Sequence, residues 1–278
     1  MTARVAVPSR GRLRDDVVAI LDRAGYGTSA LRGMGARVPA DSLEFIEMRP
    51  RDAAAWLAAG RVEGAFISTD IVLEEGLGHL PALPLHVTRS DLVVASRDDD
   101  GRQGVEDLEG AVVATHMPKA TADWFGARGI AIKIVAMGGA LEGVCAAGLA
   151  DAIVDLRETG TSLSQNRLRV LGTISECQAL FVHNRDERLA SLSLRLQAAL
   201  DARQQRYVML HIPRARLDAL VSVFPGLASP TVLPLAGRDD LVAVHFVVEA
   251  ALFWSRLGEI QAAGATGIVS VTPDGLLR

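Results

Sequence analysis

The feature that most constrains the fold is a repeated alternation of short apolar strands and amphipathic helices. Apolar runs predict strands, most of them followed by a helical pattern, at residues 4–7, 43–48, 62–67, 111–115 and 130–135. This alternation indicates open, largely parallel α/β sheets with helices on both faces. In such sheets ligands bind beyond the carboxyl ends of the strands, where two glycine-bearing loops of this chain fall.

The same pattern divides the chain into domains. Further strands indicate two crossings of the chain between interleaved halves, at residues 83–87, 92–95, 168–174 and 179–182. After a long helix predicted over 186–206, the order becomes β-α-β-β-α-β, which is typical of a ferredoxin-like domain. We therefore predict a two-lobed, periplasmic-binding-protein-like α/β unit and a carboxyl-terminal ferredoxin-like domain. The predicted boundaries are 1–90 plus 175–206 for the first domain, 91–174 for the second and 207–278 for the third.

Composition and charge limit the possible partners. The chain carries 29 Lys and Arg against 33 Asp and Glu, a net charge of −4, without a dense basic block, so we expect no nucleic-acid partner. No apolar run is long enough to span a bilayer or to form a secretion signal, so we expect a cytoplasmic protein without membrane contact. Cys145 and Cys177 lie outside CxxC spacing, and the six histidines form no zinc motif. The acidic tract at 98–101 is predicted to be a solvated turn rather than a metal loop.

The loop that follows a strand at 150–156 is suited to bind an anion. Three hydroxyls surround one glycine in the run Glu158, Thr159, Gly160, Thr161 and Ser162. Amides and hydroxyls in such a loop can converge on one point, as phosphate binding requires. Asp155, at the carboxyl end of the strand, is placed to accept hydrogen bonds from sugar hydroxyls. An ordinary turn with a Ser/Thr-rich tip accounts for the loop about equally well.

A second loop near the amino terminus has similar potential. Arg10, Gly11 and Arg12 lie between a strand and the start of a helix, where free amides, the helix dipole and both arginines favour a phosphate or pyrophosphate. Taken alone, this loop is more easily explained as a surface turn with two solvated arginines. The run Ser68-Thr69-Asp70 predicts a helix cap, which is usually structural.

Several longer motifs occur in a fixed order along the chain. They are PSRGRL at 8–13, MRPRD at 48–52, GGALE at 138–142, ADAIVDLRETGTSL at 150–163, YVMLHIP at 207–213, PGLASPTVLPLAG at 225–237 and AAGATGIVSV at 262–271. In this order the chain resembles the long form of ATP phosphoribosyltransferase, the first enzyme of histidine biosynthesis, over nearly its whole length. Separate motifs in a family's order are far more specific than one glycine loop.

The resemblance implies a reaction and its partners. It implies that N1 of the adenine of ATP is joined to C1 of the ribose of phosphoribosyl pyrophosphate (PRPP), with release of pyrophosphate. Mg²⁺ would be held mainly by the substrate phosphates, and its protein ligands are left unknown. The family's regulatory module binds histidine, so histidine is the expected inhibitor. The resemblance also implies a homo-oligomer, between a dimer and a hexamer.

The resemblance further implies roles for individual residues. The PRPP site would comprise Asp155 on the ribose hydroxyls and, around the 5′-phosphate, Glu158, Thr159, Gly160, Thr161 and Ser162. The nucleotide and pyrophosphate side would comprise Arg10, Gly11, Arg12, Arg49, Asp70 and Glu142. Catalysis is expected to depend on Asp155, Arg12 and Glu142, and histidine binding on Ser229 and Thr231. Because positive charge develops on the ribose as pyrophosphate leaves, we expect no single indispensable proton-transfer residue.

The chain also departs from the family's pattern. Phe66-Ile67-Ser68-Thr69 stands where relatives carry Gly-Ile-x-Gly, which would add bulk where the backbone approaches a ligand. Met117-Pro118-Lys119 replaces Tyr-Pro-Asn and loses an aromatic ring near the cleft. These departures leave an alternative function, that of a non-catalytic ligand-binding or regulatory paralogue on the same scaffold.

Overall fold

A computed structural model describes residues 2–32, 37–158, 161–224, 226–227 and 229–277. The strands are β1 Ala3–Pro8, β2 Arg37–Ala40, β3 Leu43–Met48, β4 Gly64–Ser68, β5 Ala82–Pro84, β6 Ser90–Arg97, β7 Val112–Thr115, β8 Lys133–Ala136, β9 Ala152–Arg157, β10 Leu168–Cys177, β11 Ala179–His183, β12 Gln205–Pro213, β13 Thr231–Leu235, β14 Arg238–Glu249 and β15 Thr266–Val271. The helices are α1 Arg12–Arg23, α2 Ser29–Arg32, α3 Pro50–Ala58, α4 Thr69–Glu75, α5 Pro118–Gly126, α6 Leu141–Ala146, α7 Thr161–Gln165, α8 Ala190–Ala202, α9 Leu217–Val223 and α10 Ala250–Ala262. None of these helices is long and apolar enough to cross a lipid bilayer.

The chain divides into two compact units. The first contains the residues up to 19 together with Gly27–Ala190, and the second contains Ile20–Tyr26 together with the residues from 191 onward. Two sheets lie in the first unit and one in the second. The finer division of the first unit into two catalytic domains, with breaks near residues 90 and 175, stays a prediction.

The first sheet has the strand order β2-β3-β1-β4-β11-β5. Its three neighbouring strands β3, β1 and β4 run parallel, and the remaining ladders are antiparallel. Val5, Ala6 and Val7 of β1 are fully buried, as expected for an interior strand that is covered on both faces. The carboxyl end of β1 therefore lies at an interior position of the sheet.

The second sheet has the order β10-β6-β9-β7-β8. Here β9, β7 and β8 run parallel, whereas β6 is antiparallel to both of its neighbours. The prediction of largely parallel sheets is therefore wrong, because both sheets are mixed. The reason is that β5 and β6 carry the chain from the first sheet to the second while β10 and β11 carry it back, so these strands pair antiparallel.

One apolar cluster contains residues of both sheets. Ala6 and Ile67 enter it from the first sheet, and Leu92 and Val113 from the second. Helix residues such as Leu57 complete the cluster. The two sheets are therefore parts of one packed unit, with the strand crossings inside it.

The second unit has one antiparallel sheet in the order β13-β14-β12-β15. With α9 after β12 and α10 after β14, this is the βαββαβ plan of a ferredoxin-like domain. Its core contains Val208, Phe224, Phe246 and Phe253. The predicted fold class, a two-lobed α/β unit of the periplasmic-binding-protein type followed by a ferredoxin-like domain, is confirmed.

Two predicted elements end earlier than expected. The helix predicted over 186–206 is a 3-10 turn followed by α8, which stops at Ala202, because Gln205 already pairs with Glu249 in the third sheet. The strand predicted over 83–87 is only β5, since His86 and Thr88 take φ values of 56° and 50°, outside the range of an extended strand.

The acidic tract at 98–101 forms a turn, as predicted, but it is not fully solvated. The side chain of Asp100 is only 4% exposed, and Arg102 Nη1 lies 2.6 Å from its Oδ2. Arg102 Nη2 also lies 3.0 Å from Oδ1 of Asp151, just before β9. The turn is therefore fastened to the start of the strand that carries Asp155.

Candidate functional site

The two glycine-bearing loops lie against each other in the first unit. One follows β1 and the other follows β9, each an interior strand of its sheet. Gly11 has a φ of 81°, a left-handed conformation that glycine adopts readily, and α1 begins at the next residue. Arg12 Nη1 lies 2.9 Å from Oε2 of Glu158, the first residue after β9. Two loops that are far apart in sequence thus form one surface, with the exposed Arg10 beside it in the chain.

The loop after β9 is described only in part. Thr159 and Gly160 lie outside the described residues. Thr161 and Ser162 form the start of α7, so this half of the predicted loop is helical. The hydroxyl of Ser162 donates a hydrogen bond to Oε1 of Glu142, at 2.5 Å. Ser162, which is predicted to bind phosphate, is therefore in direct contact with Glu142, which is predicted to bind the nucleotide.

Asp155 lies near the carboxyl end of β9 with a largely buried carboxyl group. Burial raises the pKa of Asp155 because it removes water from the charge, and the charge of Glu142 raises it further. The hydrogen bond from the Leu156 N–H and the charge of His116 act in the opposite direction. Leu156 N–H donates to Asp155 Oδ1 at 2.7 Å, and His116 Nδ1 lies 3.5 Å from the same oxygen. The carboxyl group is thus in contact with two neighbours through one oxygen.

Sequence reasoning did not select His116 as a site residue. It directly follows β7, which is the parallel neighbour of β9, with Thr115 aligned to Val154 in the register. Residues that follow adjacent parallel strands lie at the same edge of the sheet. The position of His116 directly after a strand was the sequence feature that could have identified it. That feature identifies the residue only when the order of the strands is known.

The predicted nucleotide residues of the first sheet are Arg49 and Asp70. Arg49 is the residue before α3 and has an extended backbone. Asp70 lies in the first turn of α4, is buried, and its Oδ1 accepts no hydrogen bond from the described residues. A buried carboxylate oxygen without a donor is costly unless a ligand or water supplies one. Ser68 occupies the N-cap position of α4 as predicted, but its side chain makes no capping hydrogen bond.

Two further contacts join the helices of the first sheet to the start of α5 in the second. Arg51 Nη2 donates to the carbonyl oxygen of His116 at 2.7 Å. The Glu74 carboxylate accepts the amides of Lys119, at 3.2 Å, and Ala120, at 2.9 Å. Because the first amides of a helix lack partners within the helix, Glu74 caps α5 from the other sheet. Neither contact was predicted from the sequence.

A cavity of about 280 Å³ lies where the chain crosses between the sheets. Charged side chains of both signs line it, namely Arg89, Asp91, Arg157, Glu158 and Glu176. Arg157 Nη2 lies 2.6 Å from Asp91 Oδ2, so this pair is already neutralised. Cys177 also lines the cavity, and burial, followed by the charge of Asp70, raises the pKa of its thiol to about 12. Glu158 lines the cavity and also contacts Arg12 of the other loop.

Two of the departures from the family's pattern, Phe66 and Met117, lie in the core. The Phe66 side chain is fully buried, and its ring centroid is 4.9 Å from that of Phe181. Met117 is also buried, with its Sδ 3.5 Å from Arg51 Nη2. The expectation that Phe66 adds bulk toward a ligand is therefore wrong, because its side chain packs among other core residues.

The predicted effector residues lie in the second unit. Ser229 precedes β13 and Thr231 begins it, and both are exposed. Thr231 is aligned with His245 of β14, whose Nδ1 lies 2.9 Å from the Tyr207 hydroxyl on β12. Polar side chains from three neighbouring strands therefore lie close to the predicted effector position.

Comparison with known proteins identifies the family. The model of the ATP phosphoribosyltransferase family matches residues 49–202, and that of the HisG C-terminal domain matches residues 202–272. Relatives named ATP phosphoribosyltransferase include one from Methanocella arvoryzae, 30% identical over 99% of both chains, and one from Halobacterium salinarum, 36% identical over 96% of both. The solved ATP phosphoribosyl transferase (HisG:HisZ) complex from Thermotoga maritima is similar with a TM-score of 0.61 and 27% identity, covering 70% of this chain and 97% of that one. The chain belongs to the ATP phosphoribosyltransferase family, in the long form that carries the C-terminal domain.

Proposed function

We propose that this protein catalyses the first step of histidine biosynthesis, the condensation of ATP with PRPP. The lone pair of adenine N1 forms a bond to C1 of the ribose, the bond from C1 to the pyrophosphate oxygen breaks, and pyrophosphate leaves with that electron pair. The family and its relatives support this reaction. The structural observation that carries it is the contact of Arg12 with Glu158, because it unites the two loops that suit phosphates.

We assign the PRPP side of the site to the loop after β9. Asp155 would accept hydrogen bonds from the ribose hydroxyls, with Glu158 at the head of the loop. The 5′-phosphate would bind Thr159, Gly160, Thr161 and Ser162. The supporting geometry is the position of Thr161 and Ser162 at the start of α7, close in sequence to Glu158, which contacts Arg12.

We assign the nucleotide and pyrophosphate side to residues of both sheets. Arg10, Gly11 and Arg12 would hold pyrophosphate or the triphosphate, with Arg49 near the nucleotide. Asp70 is assigned to the nucleotide side from the family resemblance, and its side chain is buried in the first turn of α4. Glu142 is assigned to the nucleotide side from the family resemblance, and its described contact is with Ser162 of the PRPP side.

The reaction asks the protein mainly for orientation and charge neutralisation. Positive charge develops on the ribose as pyrophosphate leaves, and the carboxylates of Asp155 and Glu142 would stabilise that charge. Arg12 would stabilise the negative charge of the departing group. Because the attacking nitrogen carries no proton at neutral pH, no residue is required to remove one.

The family uses a divalent metal, and we propose Mg²⁺ held mainly by substrate phosphates. Among the described residues there is no group of three or more His, Cys, Asp or Glu that could hold an ion. The oxygen ligands that Mg²⁺ prefers would therefore come mainly from the phosphates of ATP and PRPP. When bound, the ion would neutralise pyrophosphate charge.

We also propose regulation and assembly. Histidine would bind the second unit at Ser229 and Thr231 and lower activity, which by linkage requires that substrates weaken histidine binding. A homo-oligomer, from dimer to hexamer, is proposed from the family resemblance. The HisG:HisZ partnership belongs to the Thermotoga maritima protein, whereas this chain carries its own C-terminal domain.

The direct test mixes the purified protein with ATP, PRPP and Mg²⁺ and follows pyrophosphate and the ultraviolet change of the adenine. Arg12→Gln should lower kcat/KM for PRPP by about 10- to 100-fold, the value of a lost charge-assisted hydrogen bond. Arg23→Gln, at the other end of the same helix, should leave it unchanged. Asp155→Asn should likewise weaken PRPP use, with Asp98→Asn in the exposed turn as its control.

The outcomes separate the enzyme from the alternative. Absence of pyrophosphate with both substrates saturating would refute the proposal. If calorimetry then showed tight binding of ATP and PRPP, the non-catalytic paralogue would be the better description. Activity that Arg12→Gln leaves unchanged would refute the placement of the loops.

A further inference from the structure

His116 lies beside Asp155 at the candidate site and has no role in the assignments proposed above. Its imidazole Nδ1 lies 3.5 Å from Oδ1 of Asp155, and the two side chains are only 27% and 20% exposed. The contact forms because β7 and β9 are parallel neighbours and both residues lie at the same edge of the sheet. The contact between His116 and Asp155 therefore follows from the order of the strands.

The backbone around His116 is held on both sides. Arg51 Nη2 donates to the His116 carbonyl oxygen at 2.7 Å. The amide of the next residue, Met117, donates to the Thr115 hydroxyl at 2.9 Å. These two contacts fix the position of the His116 backbone beside Asp155.

The electrostatics around Asp155 require a compensating group. The carboxyl is desolvated by burial, and Glu142 from α6 adds a second negative charge nearby. His116 and the Leu156 amide are the groups that oppose these effects, both at Oδ1. The described hydrogen bonds of the carboxyl involve Oδ1, which leaves Oδ2 for a ligand.

Other charges near this contact are engaged in pairs of their own. On the first sheet's side, Arg51 Nε lies 3.9 Å from Glu75 Oε1. On the β6 side, Asp91 pairs with Arg157. The charged side chains that act on the Asp155 carboxyl are therefore those of His116 and Glu142.

We infer that His116 is a positioning residue for the transfer reaction, holding Asp155 ionised and oriented so that Oδ2 receives the ribose hydroxyls of PRPP. This inference rests on the proposed function. It predicts that PRPP binding, rather than ATP binding, depends on the imidazole. It also predicts that loss of the imidazole makes ionisation of Asp155 harder, so that a higher pH is needed for productive PRPP binding.

The test compares His116→Gln, which keeps a hydrogen-bond donor, and His116→Leu, which removes both donor and charge. KM for PRPP should rise about threefold in His116→Gln and about tenfold in His116→Leu, because a partly exposed charge contact contributes about 1 kcal/mol. The kcat and the KM for ATP should change less than twofold in both variants. The acidic limb of kcat/KM for PRPP should move to higher pH in both variants. His79→Gln is the matched control, since His79 is exposed and its ring contacts only the turn carbonyl of Gly76 at 3.2 Å among the described hydrogen bonds.

Unfolding temperature and PRPP calorimetry accompany the kinetics. A variant that melts like the wild type but shows an unchanged KM for PRPP and an unchanged acidic limb would overturn the inference. Equal increases in the KM values of PRPP and ATP would also overturn it, since they would indicate a structural role. A wild-type protein without turnover would refute the proposed function instead, so the two failures are distinguishable.

Discussion

Leu163 anchors the loop that we propose binds the 5′-phosphate, so truncating it tests that proposal. The loop continues into α7, which has five residues and is too short to be stable alone. Leu163 is 6% exposed and packs in an apolar cluster with Leu141 and Ile153. Burial of a leucine side chain contributes about 1.5–3 kcal/mol, and truncating a buried leucine to alanine costs about 2–5 kcal/mol.

Leu163→Ala should therefore loosen α7 before it affects the sheet beneath. A loss of about 2 kcal/mol of anchoring lowers the relative population of the ordered loop by about thirtyfold. We expect KM for PRPP to rise about tenfold or more. KM for ATP should rise less, because Arg49 and Asp70 lie on the other sheet, although Glu142 contacts Ser162 of this helix. Initial rates of pyrophosphate release at varied PRPP and fixed ATP measure the effect.

Leu168→Ala provides the matched control. Leu168 is also 6% exposed and belongs to the same cluster, but it lies on β10 outside the loop. It should lower the unfolding temperature about as much as Leu163→Ala and affect KM for PRPP far less. The reasoning is refuted if both variants raise KM for PRPP equally, or if Leu163→Ala melts earlier without any change in KM.

Three further predictions concern other parts of the chain. The pKa of Asp151 is lowered, first by the hydrogen bond from the Val112 amide, so its stabilising effect is complete above the ordinary carboxyl pKa and is lost as pH falls through the folded value. The difference in unfolding temperature between wild type and Asp151→Asn should thus be largest above about pH 5 and shrink below about pH 4; a difference that does not vary with pH would contradict this. Phe66→Ala should cost about 3–5 kcal/mol of stability in urea unfolding with KM for ATP unchanged, and a selective rise in that KM would show that the ring faces the ligand after all. Thr231→Val should weaken inhibition by added histidine without changing the uninhibited rate, and unaltered inhibition would move the effector site elsewhere.

Much of the fold could be predicted because its determinants are local. The strand predicted at residues 43–48 has the bounds of β3 in the structure. The β-α-β-β-α-β order of the second unit was visible for the same reason, since each strand is bounded by turn residues. The predicted end of the long helix is wrong because Gln205 pairs with Glu249, a tertiary contact that no local pattern contains.

The candidate site likewise has a part that the local sequence predicts and a part that it does not. The glycine, serine and threonine residues of such loops indicate anion binding by themselves, so both loops could be found from the sequence. The contact of Arg51 with His116 joins residues 65 positions apart, and that of Glu74 with Ala120 joins residues 46 apart. Such contacts depend on how the two sheets pack together. They could be recognised only once the strand order was known.

The contacts at the loops also explain how phosphates can enter a site whose binding groups already have partners. Arg12 is paired with the carboxylate of Glu158, and the hydroxyl of Ser162 with that of Glu142. These two of the groups that we propose bind phosphate therefore contact a carboxylate instead. The side chains of Arg12 and Glu158 are 55% and 54% exposed, and exposed pairs of this kind contribute about 1 kcal/mol or less. Charge-assisted hydrogen bonds to a phosphate are stronger than this, so a substrate can displace the carboxylates at low cost. The internal pairs thus hold the loops close to their binding positions without preventing the exchange.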